Sequence, residues 1–71
     1  NPVIDELRID GLGEVSRLVI HNMYGQRVAS VWTGTATSTA IEVSNLTQGT
    51  YVLTGYSAKG ELIALSRFVK L

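Results

Sequence analysis

The sequence contains no cysteine, one histidine and one proline among its 71 residues. Without cysteine the chain has no thiol nucleophile, no thiolate metal ligand and no disulfide bond to reinforce a small core. One histidine without cysteine cannot assemble a structural zinc site either. These absences exclude thiol enzymes and cysteine-based metal modules, and they leave apolar burial to hold the fold together.

Charge is sparse as well. Six Lys and Arg residues balance six Asp and Glu residues, so the formal net charge is +0 at pH 7. No cluster of basic residues along the chain provides the electrostatic footprint that nucleic acid or an anionic membrane requires. No apolar run approaches the roughly 20 residues of a membrane-spanning helix, and the start at Asn1 resembles neither a signal peptide nor a transit peptide. The sequence therefore predicts no nucleic-acid partner and no direct membrane insertion.

The length bounds the number of domains. A chain of 71 residues suffices for one small domain, which buries only roughly 60% of the surface that the unfolded chain exposes. The sequence starts on Asn1 and Pro2 rather than on methionine. We expect residues 1–71 to form a single domain that is a fragment of a longer polypeptide, cut at a domain boundary.

Apolar residues recur with a period near two, in short runs bounded by Gly, Asn, Ser or Thr. This pattern is typical of β-strands, and β-branched residues disfavour a helix in the longest apolar stretches. Glycines in segments 10–14, 22–26 and 57–61 favour tight turns between strands. The predicted strands span residues 6–10, 16–21, 27–32, 39–43, 50–56 and 62–69, with a seventh short strand near Val3 and Ile4.

Short strands separated by frequent turns predict an all-β fold, a small antiparallel immunoglobulin-like β-sandwich of about seven strands. The disulfide bond that links the two sheets of antibody domains is impossible without cysteine. We therefore expect the sheets to be held together by Leu18, Ile20, Val28, Val31, Ile41, Val43, Leu53, Ile63, Leu65 and Phe68.

The sequence offers no pattern typical of catalysis. Asp5 and Glu6 are adjacent, so on one strand their carboxylates point to opposite faces. No nucleophile motif surrounds any serine that His21 could serve. The glycines lack the spacing and the following helix of a phosphate-binding loop. We predict no enzyme, no cofactor and no metal site.

Four segments carry more information than the composition does. They are "NPVIDELRI" at the start, "HNMYGQRV" from His21, "IEVSNLTQGTYVL" from Ile41 and "SRFVKL" at the end. In their joint order they resemble the type A C-terminal sorting domain of the type IX secretion system, found on secreted proteins of Bacteroidota. The matching positions are Asn1 and Pro2, residues 22–28, residues 46–51 and residues 68–70.

Some positions depart from the family pattern. His21 stands where the family often has tyrosine, Thr50 stands where a β-branched apolar residue is common, and Leu71 follows the usual terminal lysine. The resemblance nevertheless covers the whole chain. The residues that it assigns to the sorting-signal motifs are Asn22, Gly25, Leu46, Gly49, Tyr51, Phe68, Val69, Lys70 and Leu71.

The resemblance implies a non-catalytic domain that acts as a folded export signal. The parent protein would reach the periplasm and then cross the outer membrane, to be secreted or placed on the cell surface. The implied partners are the outer-membrane translocon of the type IX system, its shuttle proteins and a cell-surface sortase. In most family members the sortase cuts just before the domain, and in others the domain is retained.

Strand physics suggests how such a signal works without a reactive group. The unpaired backbone groups of an exposed edge strand allow a partner to add a strand, or allow a homodimer through edge strands. Phe68 and Val69 alternate faces, so one can anchor the core while the other is presented. The simpler alternative is that both residues only close the sandwich.

Two other functions are compatible with the sequence. In a carbohydrate-binding or adhesive module, Tyr24, Trp32 and Tyr56 would form a stacking platform, although these aromatic residues are more simply explained as core or edge cover. A passive accessory domain of a surface enzyme is the other alternative. It predicts that deleting the domain leaves export of the parent protein unchanged.

Overall fold

The computed structural model describes residues 2–71, except for the side chain of Pro2. Asn1, part of the predicted motif at the start, lies outside the described residues. Every element in this part of the chain is a strand or a connection. The strands are β1 (Pro2–Val3), β2 (Glu6–Asp10), β3 (Arg17–Asn22), β4 (Arg27–Trp32), β5 (Ser38–Glu42), β6 (Gly49–Tyr56) and β7 (Leu62–Lys70). The predicted strand boundaries are confirmed to within one residue.

The strands form two sheets. The larger has the order β1-β7-β6-β3-β4 and the smaller pairs β2 with β5. All pairings are antiparallel except that of the two-residue β1 with β7, which is parallel. The sheets pack face to face, so the predicted all-β, immunoglobulin-like sandwich is confirmed, with β1 as a short seventh strand beside six longer ones.

The core lies between the two sheets. Leu18 and Ile20 on β3 face Ile41 on β5, and Val43 is fully buried. Leu7 and Ile9 on β2 are partly buried against the same cluster, as are the predicted core residues Val31 and Leu53. The buried members of the cluster are Val3, Leu12, Val15, Leu18, Ile20, Ile41, Val43, Tyr51 and Phe68.

The assignment to the core is wrong for three of the predicted residues, which are exposed. Val28 and Ile63 lie at irregularities in the β3–β4 and β6–β7 pairings, where one strand has an extra residue. An extra residue breaks the alternation of faces on which the prediction depended. Leu65 is 69% exposed, because it lies on the face turned away from the smaller sheet and, within residues 2–71, no further strand pairs with β7 at this position.

Sequence periodicity also missed core residues in the connections. Leu12 and Val15 are buried although they lie between β2 and β3. The Leu12 amide donates to the Thr37 carbonyl at 3.0 Å and the Val15 amide donates to the Leu12 carbonyl at 2.9 Å. These hydrogen bonds fold the connection over the edge of the core, where no alternating pattern marks it.

Candidate functional site

Motif residues that are distant in the sequence meet in one row of the larger sheet. Asn22 on β3 is the register partner of Tyr51 on β6, and Tyr51 is the register partner of Phe68 on β7. The rings of Tyr51 and Phe68 stack with centroids 5.5 Å apart and planes 19° apart. Each of these two residues is 4% exposed. The prediction that Phe68 belongs to the core is confirmed, and Tyr51 is buried beside it. The row that they form is the centre of the candidate site.

The hydroxyl of Tyr51 fixes the β5–β6 connection on this row. It donates to the Thr47 carbonyl at 2.7 Å and lies 3.1 Å from the Thr47 hydroxyl. A buried phenol needs such a partner, because an unpaired polar group in the core is costly. Leu46 packs against the core, and its amide donates to the Val43 carbonyl at 3.0 Å. Thr47 was not predicted from the sequence, and no sequence signal points to it, because only folding brings its carbonyl to the Tyr51 hydroxyl.

Gly49 begins β6 with φ at 153°, a conformation that residues with a side chain rarely adopt. A Cβ at this position would meet no atom within 4 Å. The requirement for glycine is therefore conformational rather than spatial. Its register partner is Lys70, which belongs to the same end of the sandwich.

Residues 68–71, at the end of β7, are alternately buried and exposed. Phe68 and Lys70 are buried, and the Lys70 ammonium donates to the Leu71 carbonyl at 2.9 Å. Val69 is 39% exposed on the opposite face, and Leu71 is also exposed. The Leu71 amide donates to the Val3 carbonyl at 2.8 Å, which ties this segment to β1. The segment is thus anchored at alternate positions and accessible at the others.

The turn between β3 and β4 is built by the predicted motif residues. The Asn22 Oδ1 accepts hydrogen bonds from the amides of Tyr24 at 2.9 Å and Gln26 at 3.0 Å. The Asn22 Nδ2 donates to the Gln26 Oε1 at 2.8 Å. Gly25 takes φ at 81°, the left-handed conformation in which glycine is favoured. The spacing of Asn, Gly and Gln therefore has a local structural reason.

An open groove of about 360 Å³ runs between this turn and the β5–β6 connection. Four predicted motif residues line it, namely Asn22, Leu46, Gly49 and Tyr51. Met23 and Tyr24 are exposed at its rim. The other predicted motif residues lie outside the lining: Gly25, Phe68, Val69, Lys70 and Leu71. The structure thus gathers part of the predicted set around one groove and places the rest beside or beneath it.

The last strand has an edge that is open for most of its length. Within residues 2–71, β7 pairs with β6 along its whole length, but with β1 only at Val69 and Lys70. The edge of β7 between Leu62 and Phe68 therefore has no strand partner in the described chain. The expectation of an accessible edge is confirmed, with the correction that β1 covers its final residues. A second groove, of about 350 Å³, lies between this edge and β2.

The aromatic residues do not form a shared platform. Tyr24 is 90% exposed and Trp32 is 70% exposed, so of the two simpler explanations, core or edge cover, the core is wrong for both residues. Tyr24 lies in the turn before β4 and Trp32 is the last residue of β4, so the length of the strand separates them. Tyr56 is half-buried, and the guanidinium of Arg17 lies 4.9 Å from the centre of its ring.

Acidic and basic side chains are spread over the described residues without forming a catalytic group. Glu6, Asp10 and Glu42 lie on the outer face of the smaller sheet, while Glu14 and Glu61 lie in connections. Within residues 2–71, no group of three or more His, Asp or Glu side chains is arranged to bind a metal ion. This part of the chain also forms no helix of the length and apolarity needed to cross a membrane.

Comparison with known families identifies the chain over nearly its whole length. A family model described as "Secretion system C-terminal sorting domain" matches residues 1–69. The match includes the Asn22 turn, the Leu46 to Tyr51 segment and the beginning of the terminal segment. No curated protein and no solved structure matches the chain.

Proposed function

Since the chain belongs to the family of C-terminal sorting domains of the type IX secretion system, we propose that it directs its parent protein across the outer membrane to the cell surface. The family consists of non-catalytic sorting signals that lead to secretion or surface display. The domain would act as a folded structure that the secretion machinery binds rather than as an enzyme.

One observation carries the proposal beyond family membership. In the segment from Phe68 to Leu71, buried and exposed residues alternate. Phe68 stacks on Tyr51, which fixes the segment in space, while Val69 and Leu71 remain exposed. A partner could bind the exposed residues without unfolding the domain. The open edge of β7 next to them offers backbone groups for strand addition.

The proposed route includes partners and a processing step. The outer-membrane translocon and its shuttle proteins would bind the domain after its parent protein reaches the periplasm. A cell-surface sortase would then cut just before the domain, unless the domain is retained. The hydrogen bond from the Leu71 amide to the Val3 carbonyl places β1 beside the terminal segment. The site of cutting and the site of binding would therefore lie at one end of the sandwich.

A carbohydrate-binding function is not favoured by the positions of the aromatic residues. Stacking on a sugar requires exposed rings on one surface. Tyr24 lies in the turn before β4, Trp32 lies at the far end of that strand, and Arg17 covers the ring of Tyr56.

Export can be tested with a reporter protein that carries an N-terminal Sec signal peptide and residues 1–71 at its C-terminus. The reporter is expressed in a bacterium with a type IX system and is quantified in periplasm, outer membrane and medium. We expect surface delivery for the unmodified domain, and periplasmic retention when residues 68–71 are deleted. A change in the mass of the surface reporter measures sortase cutting.

Deletion of Phe68 also removes a core residue, so a second variant separates recognition from folding. Val69→Asp with Leu71→Asp changes only exposed side chains of the segment. We expect this variant to keep its thermal midpoint and to lose surface delivery. Normal delivery of the deleted form would identify the domain as a passive accessory. If the double variant is delivered normally while the deleted form is not, the machinery does not recognise the side chains of Val69 and Leu71.

A further inference from the structure

The face of the larger sheet that turns away from the smaller one, here called the outer face, combines basic and apolar side chains. Register partners point to the same side of a sheet, so its composition follows from the strand pairing. The pairing gives successive rows across the sheet: Trp32, Arg17, Tyr56 and Leu62; Ser30, Val19, Thr54 and Leu65; Arg27, His21, Val52 and Arg67; Thr50 and Val69. None of these residues is acidic.

The basic residues of the outer face lack acidic partners. The single ion pair in the described residues joins Arg8 and Glu6 on the smaller sheet, at 3.3 Å. On the outer face, Arg27 lies directly opposite His21. Because no carboxylate of the described residues lies on the same face, the arginines remain available to pair with the carboxylates of a partner.

Large apolar side chains lie among these basic residues. Trp32 and Leu65 are 70% and 69% exposed, and Leu62 and Val69 are also exposed. An exposed apolar surface bordered by charge is typical of an interaction site. Trp, Tyr and Arg are the residues that dominate binding energy at protein interfaces, whereas lysine is depleted there. The outer face has all three and no lysine.

A second copy of the chain does not complement this surface. Two outer faces would bring arginines against arginines. The outer face of the smaller sheet is acidic through Glu6, Asp10 and Glu42, but its remaining residues are Arg8, Ser38 and Ala40. It therefore supplies negative charge without a large apolar side chain to cover Trp32 and Leu65.

We propose that the outer face is a docking surface for a different protein, one that presents carboxylates around an apolar patch. The inference rests on the proposed function, because it takes that protein to be a component of the secretion machinery. Within residues 2–71 the chain forms no amphipathic helix of the kind that inserts into lipid, so the outer face suits a protein surface better than a membrane. The carboxylates of the partner would pair with Arg27 and Arg67, and its apolar patch would cover Trp32 and Leu65.

Binding is measured with the purified chain and the secretion complex solubilised in detergent as the probe. The test variant is Arg27→Glu with Arg67→Glu. Its matched control is Lys59→Glu with Ala40→Glu and Ser44→Glu, which lowers the net charge by the same four units on exposed residues that are not part of the outer face. We expect the test variant to weaken binding by about tenfold or more and the control to leave it nearly unchanged. Binding by the unmodified chain should also weaken between roughly 0.05 M and 0.5 M salt.

The apolar component is tested by Trp32→Ser with Leu65→Ser, against Ile4→Ser as an exposed control on another surface. We expect loss of binding of about tenfold for the pair and little change for the control. Thermal midpoints of all variants are measured, and these exposed positions should leave them close to that of the unmodified chain.

Three results would overturn the inference. Equal weakening by the test and control charge variants is the first, and failure of the unmodified chain to bind the complex is the second. The third is arginine-dependent binding to vesicles that contain lipopolysaccharide, without binding to the complex, because the occupant is then a membrane. Reporter export is measured separately. Its failure would refute the proposed function, while the binding measurements would still decide whether the outer face is a docking surface.

Discussion

The two ends of the β6–β7 ladder differ in how completely they are packed. At one end, here called the motif end, Tyr51 stacks on Phe68 and both are buried. At the other, here called the open end, the inner-face partners are Gly55 and Ala64, and a groove separates β7 from β2. Small side chains cannot fill the space that aromatic rings fill at the motif end. The same pair of strands is therefore rigidly fixed near Leu71 and loosely covered near the β6–β7 turn.

This difference bears on how the family motifs are interpreted. The motif residues Asn22, Leu46, Gly49 and Tyr51 lie around one groove at the motif end, and Phe68 lies beneath Tyr51. Several of these positions have a complete structural explanation in hydrogen bonding, packing or backbone conformation. The exposed residues beside them are then the better candidates for direct contact with a partner.

The largest effect that distinguishes the two ends is expected from large-to-small substitutions. Tyr51→Ala and Phe68→Ala should each lower the free energy of unfolding by about 3 kcal/mol, because each removes a buried ring. Leu65→Ala on the same strand as Phe68 should change it by less than about 0.5 kcal/mol, since Leu65 is exposed. Urea unfolding of the three variants measures the difference. Equal losses for Leu65→Ala and Phe68→Ala would show that both ends contribute alike to the core.

Glycine substitutions should give a smaller difference between the ends. Gly49→Ala should cost about 1 kcal/mol, because φ at Gly49 is 153°. Gly55→Ala should cost less. Its backbone needs no glycine conformation, and the new Cβ would meet only side-chain atoms, of Val15 at 3.1 Å and Ala64 at 3.3 Å. Val15 borders the open groove and its side chain can move into that space, whereas the Ala64 Cβ moves only with β7, whose other edge has no strand partner at this position within residues 2–71. A lower thermal midpoint for Gly55→Ala than for Gly49→Ala would contradict the view that the motif end is the more tightly constrained.

The smallest difference is expected at two turns of the same design. At the motif end Asn22 accepts from two amides at 2.9 and 3.0 Å. At the open end Ser57 accepts from the amides of Lys59 and Glu61, both at 3.2 Å. Asn22→Ala should cost about 1 kcal/mol and Ser57→Ala about half as much, because the bonds of Ser57 are longer and its side chain makes no further contact of the kind that Asn22 makes with Gln26.

Hydrogen exchange of the amides in the two turns provides the measurement for this pair. The variants should lose protection locally, with the larger loss in the β3–β4 turn. If Ser57→Ala is the more destabilising change, the stability of each turn is not related to how closely its end of the sandwich is packed.

Local sequence predicted the strands because alternation and turn chemistry are local properties. The turn at residues 22–26 follows from Asn22, Gly25 and Gln26 alone, and β4 coincides with its predicted range. The segment "LIALSRFVK" shows where this reasoning failed. Apolar residues occupy both faces of that strand, so alternation cannot say whether Leu65 or Phe68 is buried. Phe68 is buried because its partner is Tyr51, a pairing set by a distant part of the chain.

The candidate site was predictable only in part for the same reason. The motif residues were identified from their order in the sequence, but their meeting in one row depends on the register of β3, β6 and β7. Thr47 was missed because only folding brings its carbonyl to the Tyr51 hydroxyl. Likewise, nothing in the local sequence indicates that β1 covers the end of β7.

The sequence by itself determined which segments are strands, where the chain turns and to which family the chain belongs. These features depend on side-chain alternation, on glycine and asparagine in turns, and on the order of motifs. Only the tertiary structure decided which face each residue occupies. The sequence has no basic cluster, yet strand pairing places Arg17, Arg27 and Arg67 on one face and most of the acidic strand residues on the other sheet. The physical reason is that register is fixed by non-local pairing and burial, which no short stretch of sequence contains.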